Sequence, residues 1–362
     1  MKSTSVISNC NIIMLLKRFK LSTNILRQTS NEFQKYTNIR RTMSSSSVIP
    51  LIDISPYRNG DIEGAKQVAS QIATAGEDIG FFAIAGHGIE QQVIDNCWTA
   101  TAEYFDQDAD FKTQISTSEE YPYGYFPLSK ESLSRGYGDA NSLPDLNESF
   151  AIGPYNAAAG MPPVRWPSQP AHLKDAWLTY YQALERLALD MLRVFALALD
   201  MPENFFDKAM TERHRSALRF LNYPAQDKPP LPGQVRAGAH TDYGTLTILL
   251  QDGTGGLQVK HGEKGEWHHA PYTPGTFLVN IGDLMQRWTN DKWVSTVHRV
   301  VNPVGQEDIT TARRQSIAFF QNIDPDHLVS CIPSCTSPTN PPKYADILAW
   351  DHLMSKHNAA VN

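Results

Sequence analysis

The chain has 362 residues, 41% hydrophobic and 19% charged, with a formal net charge of −6. That apolar content excludes a disordered tail protein. The longest apolar stretch, 187–199, carries Asp190 and Arg193, so no run approaches the roughly 18 residues of a membrane span. Residues 1–47 hold eight Lys or Arg and one acid, which leaves 24 bases against 37 acids in the rest. A body that acidic gives no electrostatic footprint for a nucleic-acid backbone or an anionic membrane.

In chain order, residues 1–47 read as a targeting segment or a disordered leader. Written as a helix, 11–28 puts Ile12, Leu15, Leu16, Phe19 and Leu26 on one face, with Lys17, Lys20 and Arg27 on another side. That pattern suits a mitochondrial presequence; the alternative is an extension upstream of a start at Met43. The apolar run 12–16 is too short for a secretory signal. Cys10, Cys97, Cys331 and Cys335 are too sparse for a disulfide framework. An intracellular protein is expected, cytoplasmic or mitochondrial and not secreted.

Order begins at Val48. Residues 48–54 read as a short strand that Pro50 marks as an edge. Ala65, Val68, Ala69, Ile72 and Ala73 recur at helical spacing, and Gly80 stops that helix. A strand at 81–84 and the turn Gly86-His87-Gly88 lead into a second helix through Trp98 and Phe105. Residues 122–170 are rich in Pro, Gly, Ser and Tyr and read as loop. A long helix then carries Leu173, Trp177, Tyr181, Leu184, Leu187 and Met191 on one stripe. After Pro202, short β-rich runs at 216–223, 244–250, 256–259, 276–281, 293–301 and 315–320 alternate with turn residues, as in a sandwich or barrel.

The expected fold is therefore α+β: a jelly-roll, or double-stranded β-helix, core with N-terminal helices and a long supporting helix. The expected divisions are a leader at 1–47, a mixed helical region at 48–205, the jelly roll at 206–335, and a C-terminal tail and helix at 336–362.

Three elements carry chemistry. In His240-Thr241-Asp242 a strand would put i and i+2 on one face. His298 lies in the β-branched run 294–300, 56 positions after Asp242. Two neutral imidazoles and one carboxylate form the facial triad of non-haem Fe(II) oxygenases, with positions left open for reactants. Arg314-Gln315-Ser316 offers a guanidinium fork and a hydroxyl on one face, suited to a carboxylate. His214, His261, His268, His269 and His352 read as structural, as do His87 between its glycines and Asp283 in its turn.

These residues stand within a longer pattern. It includes Ile49-Pro50-Leu51-Ile52-Asp53, Gly80-Phe81-Phe82, Ala239-His240-Thr241-Asp242-Tyr243-Gly244-Thr245, Gly255-Gly256-Leu257-Gln258, Asn280-Ile281-Gly282-Asp283-Leu284, Ser295-Thr296-Val297-His298-Arg299-Val300 and Arg314-Gln315-Ser316. In this order, over roughly 48–352, the chain resembles the iron(II)- and 2-oxoglutarate-dependent dioxygenases of the isopenicillin N synthase-like family. The resemblance implies that His240, Asp242 and His298 bind Fe(2+), and that Arg314 and Ser316 hold the far carboxylate of 2-oxoglutarate. Tyr223, before Pro224, is carried over as a co-substrate contact; Asn222 alternates to the other face and is not. The interval from His298 to Arg314 is longer than the family pattern, with 303–311 read as extra loop.

The implied reaction consumes O2, converts 2-oxoglutarate to succinate and CO2, and oxidises a C–H bond of a small organic substrate. Hydroxylation leads, with desaturation or ring closure open to the same chemistry. One alternative is an Fe(II) oxidase of the same fold that uses no 2-oxoglutarate. Others are a zinc hydrolase or a silent binding module, although no ligand is missing and neither needs the Arg314–Ser316 grip. By the resemblance, Tyr123, Tyr125, Phe126, Arg135, Tyr137 and Phe150 are expected to line the substrate pocket, with Arg135 facing a substrate carboxylate; the alternative is that they merely pack this segment against the barrel. The expected partner is a small molecule, with no nucleic acid and no membrane, and a monomer or an oligomer of undefined order.

Overall fold

The structure, a computed structural model, describes residues 48–361 apart from 119–120, 137, 140, 156–159, 161, 163, 227–228 and 303–312. The leader 1–47, the inserted loop 303–311 and Tyr137 therefore lie outside the described residues. Among the described residues, twelve strands build the two larger sheets: β1 (Leu51–Asp53), β2 (Phe81–Ala85), β3 (Gly124–Phe126), β4 (Glu148–Ile152), β5 (Ala217–Tyr223), β6 (Ala237–His240), β7 (Leu246–Gln251), β8 (Leu257–His261), β9 (Glu266–His269), β10 (Phe277–Ile281), β11 (His298–Val300) and β12 (Arg314–Gln321). The larger sheet runs β1-β2-β10-β7-β12-β5-β4-β3, the smaller β6-β11-β8-β9. Strands from before residue 205 thus share one sheet with strands from after it.

Alternation divides the large sheet into two faces. Phe82, Ile84, Ile248, Phe220, Ile317 and Phe319 pack with the helices in one core. Phe81, Ala83, Leu249, Leu278, Leu221 and Tyr223 turn the other way and pack with Ala237, Leu257, Val259 and Val300 of the small sheet. The two facing sheets are the expected jelly roll.

The helix side is held by large apolar contacts. In the helix Leu173–Ala198, Leu173, Trp177, Tyr181, Leu184, Leu187 and Met191 are all buried, as their spacing predicts. The Trp177 ring stacks on Phe220 at 3.8 Å, and Tyr181 Oη donates to the Ser216 carbonyl at 2.8 Å. The helix Ile62–Asp78 starts on an Asp61 cap to Gly64 N. It ends where Gly80, at φ +65°, returns its N–H to Ala75 O, a left-handed stop that favours glycine.

Two expectations are corrected. The span 122–170 is not all loop: β3 and β4 extend the large sheet by pairing with each other and with β5. Their strand state comes from that pairing, because Glu148-Ser149 and the flanking turn residues hide any β pattern. The run 293–301 yields a strand only at His298–Val300. Trp293 is buried instead on the helix side, edge-on to Phe195 at 4.9 Å. No β-rich run in the sequence marks β6 or β9.

Candidate metal centre and co-substrate pocket

His240 closes β6 and His298 opens β11, and the two are direct partners in the antiparallel ladder. Their rings lie 4.3 Å apart between centroids. Asp242 is not on the strand, as i, i+2 alternation assumed, but two residues beyond its end. Backbone contacts hold it there: Asp283 N donates to Asp242 O at 2.7 Å, and Leu284 N to Gly244 O at 3.0 Å. A Cβ on Gly282 would meet Gly244 O at 2.3 Å, so this close approach requires glycine.

The three side chains converge with their metal-binding atoms free. Asp242 Oδ1 is 3.8 Å from His240 Nε2 and 3.7 Å from His298 Nε2, and the three candidate ligand atoms lie within 4.8 Å of one another. His240 Nδ1 bonds to Gly238 O at 2.7 Å and His298 Nδ1 to Thr296 O at 3.0 Å. A carbonyl can only accept, so each Nδ1 carries the proton and each Nε2 presents its lone pair. Asp242 Oδ2 accepts from Thr247 Oγ1 at 2.6 Å and Asn280 Nδ2 at 2.7 Å, which leaves Oδ1 turned to the histidines.

Electrostatics favour the same states at His240 and Asp242. Burial, then the neighbouring His298, lowers the His240 pKa to about 4, so its imidazole is neutral at physiological pH. Burial raises the Asp242 pKa, but His298, His240 and the two donors outweigh it and hold the carboxyl below its usual range. A neutral–neutral–anionic N,N,O set with open positions fits a divalent iron ion.

The second half of the pocket is a buried guanidinium. Arg314 is 1% exposed. Its Nη1 donates to Ser316 Oγ at 3.1 Å and its Nη2 to Gln251 Oε1 at 3.3 Å. The guanidinium lies 4.8 Å over the Tyr223 ring, and Arg314 and Tyr223 are register partners. Nε is buried without a hydrogen-bond partner, and among the described residues no carboxylate forms an ion pair with Arg314. Burying a charge without a counter-ion costs several kcal/mol, so the pocket fits an anion such as one carboxylate of a dicarboxylic acid. Arg314, Ser316 and Tyr223 all sit where alternation puts them. Asn222, on the opposite face, donates to Glu148 and accepts from Arg313.

The expected substrate wall is largely overturned. Tyr125 and Phe150 belong to the helix-side core, and Tyr123 packs against Gly153. Arg135, on the short helix Leu133–Gly136, is exposed. The reason is parity: one residue along a strand changes the face. Phe126 is the member that turns inward, under the Arg219 guanidinium at 4.7 Å. Thr247, Asn280 and Gln251 were missed as partners of the site, although alternation along β7 and β10 would have placed them on its face.

Comparison with known proteins agrees with this geometry. Residues 214–323 match the model of the 2OG-Fe(II) oxygenase superfamily, and 49–169 match the N-terminal model of the non-haem dioxygenases in morphine synthesis. The chain belongs to the 2OG-Fe(II) oxygenase superfamily. It is 34% identical over 316 residues to the 2-oxoglutarate-Fe(II) type oxidoreductase hxnY of Emericella nidulans, across 83% of this chain and 87% of that protein. It is 31% identical over 292 residues to validamycin A dioxygenase of Streptomyces hygroscopicus subsp. limoneus, across 77% and 78%. A crystal structure of a full-length Neurospora crassa protein in complex with alpha-KG and thymine superposes with a TM-score of 0.77 at 31% identity, covering 88% of this chain and 98% of that one. The protein is thus an oxidoreductase whose chemistry depends on Fe(II), 2-oxoglutarate and O2. No helix among the described residues is long and apolar enough to cross a membrane.

Proposed function

We propose that His240 Nε2, Asp242 Oδ1 and His298 Nε2 hold the iron, that Arg314 with Ser316 grips the distal carboxylate of 2-oxoglutarate, and that Tyr223 packs beside it. The enzyme then hydroxylates a C–H bond of a small organic molecule. The buried Arg314, with no acid to neutralise it and on the face that also carries the Asp242 supports Thr247 and Asn280, is the observation that carries this reading. Iron bound here supplies the activation of O2 coupled to loss of CO2 from 2-oxoglutarate. The chain's own residues do the rest. Gly238 and Thr296 carbonyls fix the imidazole tautomers, Thr247 and Asn280 aim one carboxylate oxygen, and the Phe81 edge at 5.3 Å shields His298 from water. Small size of substrate is supported by relatives: one Neurospora crassa structure holds thymine, and another holds 5-formyluracil.

The test is succinate release with and without Fe(II), for the wild type and His240→Ala, together with anaerobic calorimetric titration of 2-oxoglutarate into the Fe(II) protein. Turnover that survives the substitution, or no binding of 2-oxoglutarate by the wild type, overturns the proposal.

A further inference from the structure

A cleft of about 240 Å3 lies between the helix Gln91–Phe105, the end of β7 and the loop that enters β10. None of His240, Asp242, His298, Arg314, Ser316 and Tyr223 lines it. Its volume is just under the roughly 300–1,000 Å3 of ordinary ligand pockets, so it suits a small molecule. Three rings, those of Trp98, Tyr272 and Phe277, form its apolar wall. Its formal charges are the carboxylates of Asp95 and Asp252, and among the described residues no Lys or Arg lines it and neither acid forms an ion pair. Asp252 is pinned by backbone donors, Thr254 N to Oδ1 at 2.9 Å and Gln315 N to Oδ2 at 2.6 Å, and Asp95 accepts from Gln91 Nε2 at 2.8 Å. Arg58, whose charge acts on His87 in the wall, is paired with Asp190 at 3.4 Å. The helix N-terminus adds about half a positive charge, which the two carboxylates and Glu90 at the N-cap outweigh.

One residue of the wall is shared with the co-substrate pocket. Gln251 is buried, its Oε1 accepts from Arg314 Nη2 at 3.3 Å, and its Nε2 donates to Pro271 O at 3.2 Å, one residue before Tyr272. A single side-chain amide thus joins the guanidinium to the loop that carries part of the aromatic wall. Arg236 is buried as well, and its charge and that of Arg314 repel each other. An empty co-substrate pocket therefore disfavours a cation beyond Gln251, and a dianion bound at Arg314 removes that repulsion.

We propose that this cleft is an effector site for a small organic monocation, an ammonium group on an aromatic or flat apolar body, whose binding and that of 2-oxoglutarate strengthen each other through Gln251. The ammonium group donates to the Asp95 and Asp252 carboxylates, and the Trp98 and Tyr272 rings pack the body and favour the positive charge. Coupling between two sites is reciprocal, so each ligand raises the affinity of the other by one and the same factor. The coupling rests on the reading that Arg314 grips 2-oxoglutarate; the site itself does not.

The experiment titrates the full chain with phenethylamine and with its neutral isostere 2-phenylethanol by anaerobic calorimetry, in Fe(II) protein with and without saturating 2-oxoglutarate. The amine is expected to bind at least about tenfold more tightly than the alcohol, the size of one charge-assisted hydrogen bond. Asp95→Asn and Asp252→Asn should each reduce that preference, and Trp98→Leu should weaken both ligands. Saturating 2-oxoglutarate should tighten amine binding by about fivefold or more, and saturating amine should tighten 2-oxoglutarate binding equally. Asp95→Asn lies on an exposed helix face and should keep the wild-type affinity for 2-oxoglutarate measured without amine, which reports an intact fold. Alcohol binding as tight as the amine, amine binding that neither aspartate variant alters, no amine binding by a protein that takes up 2-oxoglutarate, or two affinities that do not respond to each other would each overturn the inference and leave the reaction class standing. Failure to bind 2-oxoglutarate in the absence of amine would instead strike the proposed function.

Discussion

The two faces of the eight-stranded sheet are made by the same strands and do opposite work. Toward the helices, Phe82, Ile84, Phe220, Ile317 and Phe319 merge into a continuous apolar core with Trp177 and Phe195. Toward the small sheet, the same strands carry Asn280, Thr247, Arg314, Ser316 and Arg219 among a much smaller apolar cluster. Full burial of each large side chain on the first face stabilises by about 1.5–3 kcal/mol. That surplus lets the second face keep a buried guanidinium without a counter-ion. Stability and chemistry are thus separated by parity along each strand and not by region of sequence.

The separation can be broken most severely at the proposed metal ligands. His298→Ala should lower turnover by more than about 10³-fold, because a ligand loss removes several kcal/mol of metal-dependent stabilisation at 1.36 kcal/mol per tenfold. The thermal midpoint of the metal-free protein should hardly move, checked by succinate assay and calorimetric melting. The converse substitution is Trp177→Ala on the helix side. It should cost about 3–5 kcal/mol in urea unfolding, the range for a buried aromatic truncated to a cavity, while the remaining folded protein still binds 2-oxoglutarate with wild-type affinity. A variant that changed affinity as strongly as stability would show that the faces are coupled.

Smaller effects sharpen the contrast. Arg314→Met should raise the KM for 2-oxoglutarate by about 10–100-fold, from loss of hydrogen bonds to a charged group, and should not lower stability, since it removes an uncompensated buried charge. Asn280→Ala should weaken Fe(II) binding by about 10–100-fold, as expected of a group that orients a ligand from behind, measured by competition with a chelator.

The last test is one of pH on the helix side. His87 packs against Phe277 at 4.4 Å, and burial, opposed by a backbone bond to Gly275 and aided by Arg58, lowers its pKa to about 4. The unfolded chain titrates near the ordinary value of about 6.5. The unfolded state therefore binds more protons between these values, and stability falls as pH drops from about 6.5 toward 4. Between pH 7 and pH 5 the wild type should lose about 2 kcal/mol more than His87→Gln at one group's 1.36 kcal/mol per unit. Equal losses in urea unfolding would show that His87 charges freely in the folded protein.

Much of the site was legible because its residues lie on regular strands or in short motifs. Arg314 and Ser316 share a face by alternation, and Asn222 turns away by the same rule. His240, Asp242 and His298 stand out by residue type and spacing, although alternation alone does not place Asp242: it leaves the strand, and the loop around Gly244 and Gly282 brings it back. The substrate wall is not legible for the opposite cause. Tyr125 and Phe150 lie in a Pro- and Gly-rich span where no local pattern marks a strand, so no parity says which way either points.

The sequence by itself determined the jelly-roll class and the supporting helix with its buried stripe, through local spacings of two and about 3.6, and it singled out His240, Asp242, His298, Arg314 and Ser316 as candidates by residue type, short motif and family resemblance. Only the tertiary structure decided that β3 and β4 join the sheet, that Thr247 and Asn280 fix the Asp242 carboxylate, and that Arg219 and not Arg135 faces inward. These depend on which strands become neighbours, and pairing such as that of β4 with β5, 66 to 74 residues apart, is set by the packing of whole faces, which no local window of sequence contains.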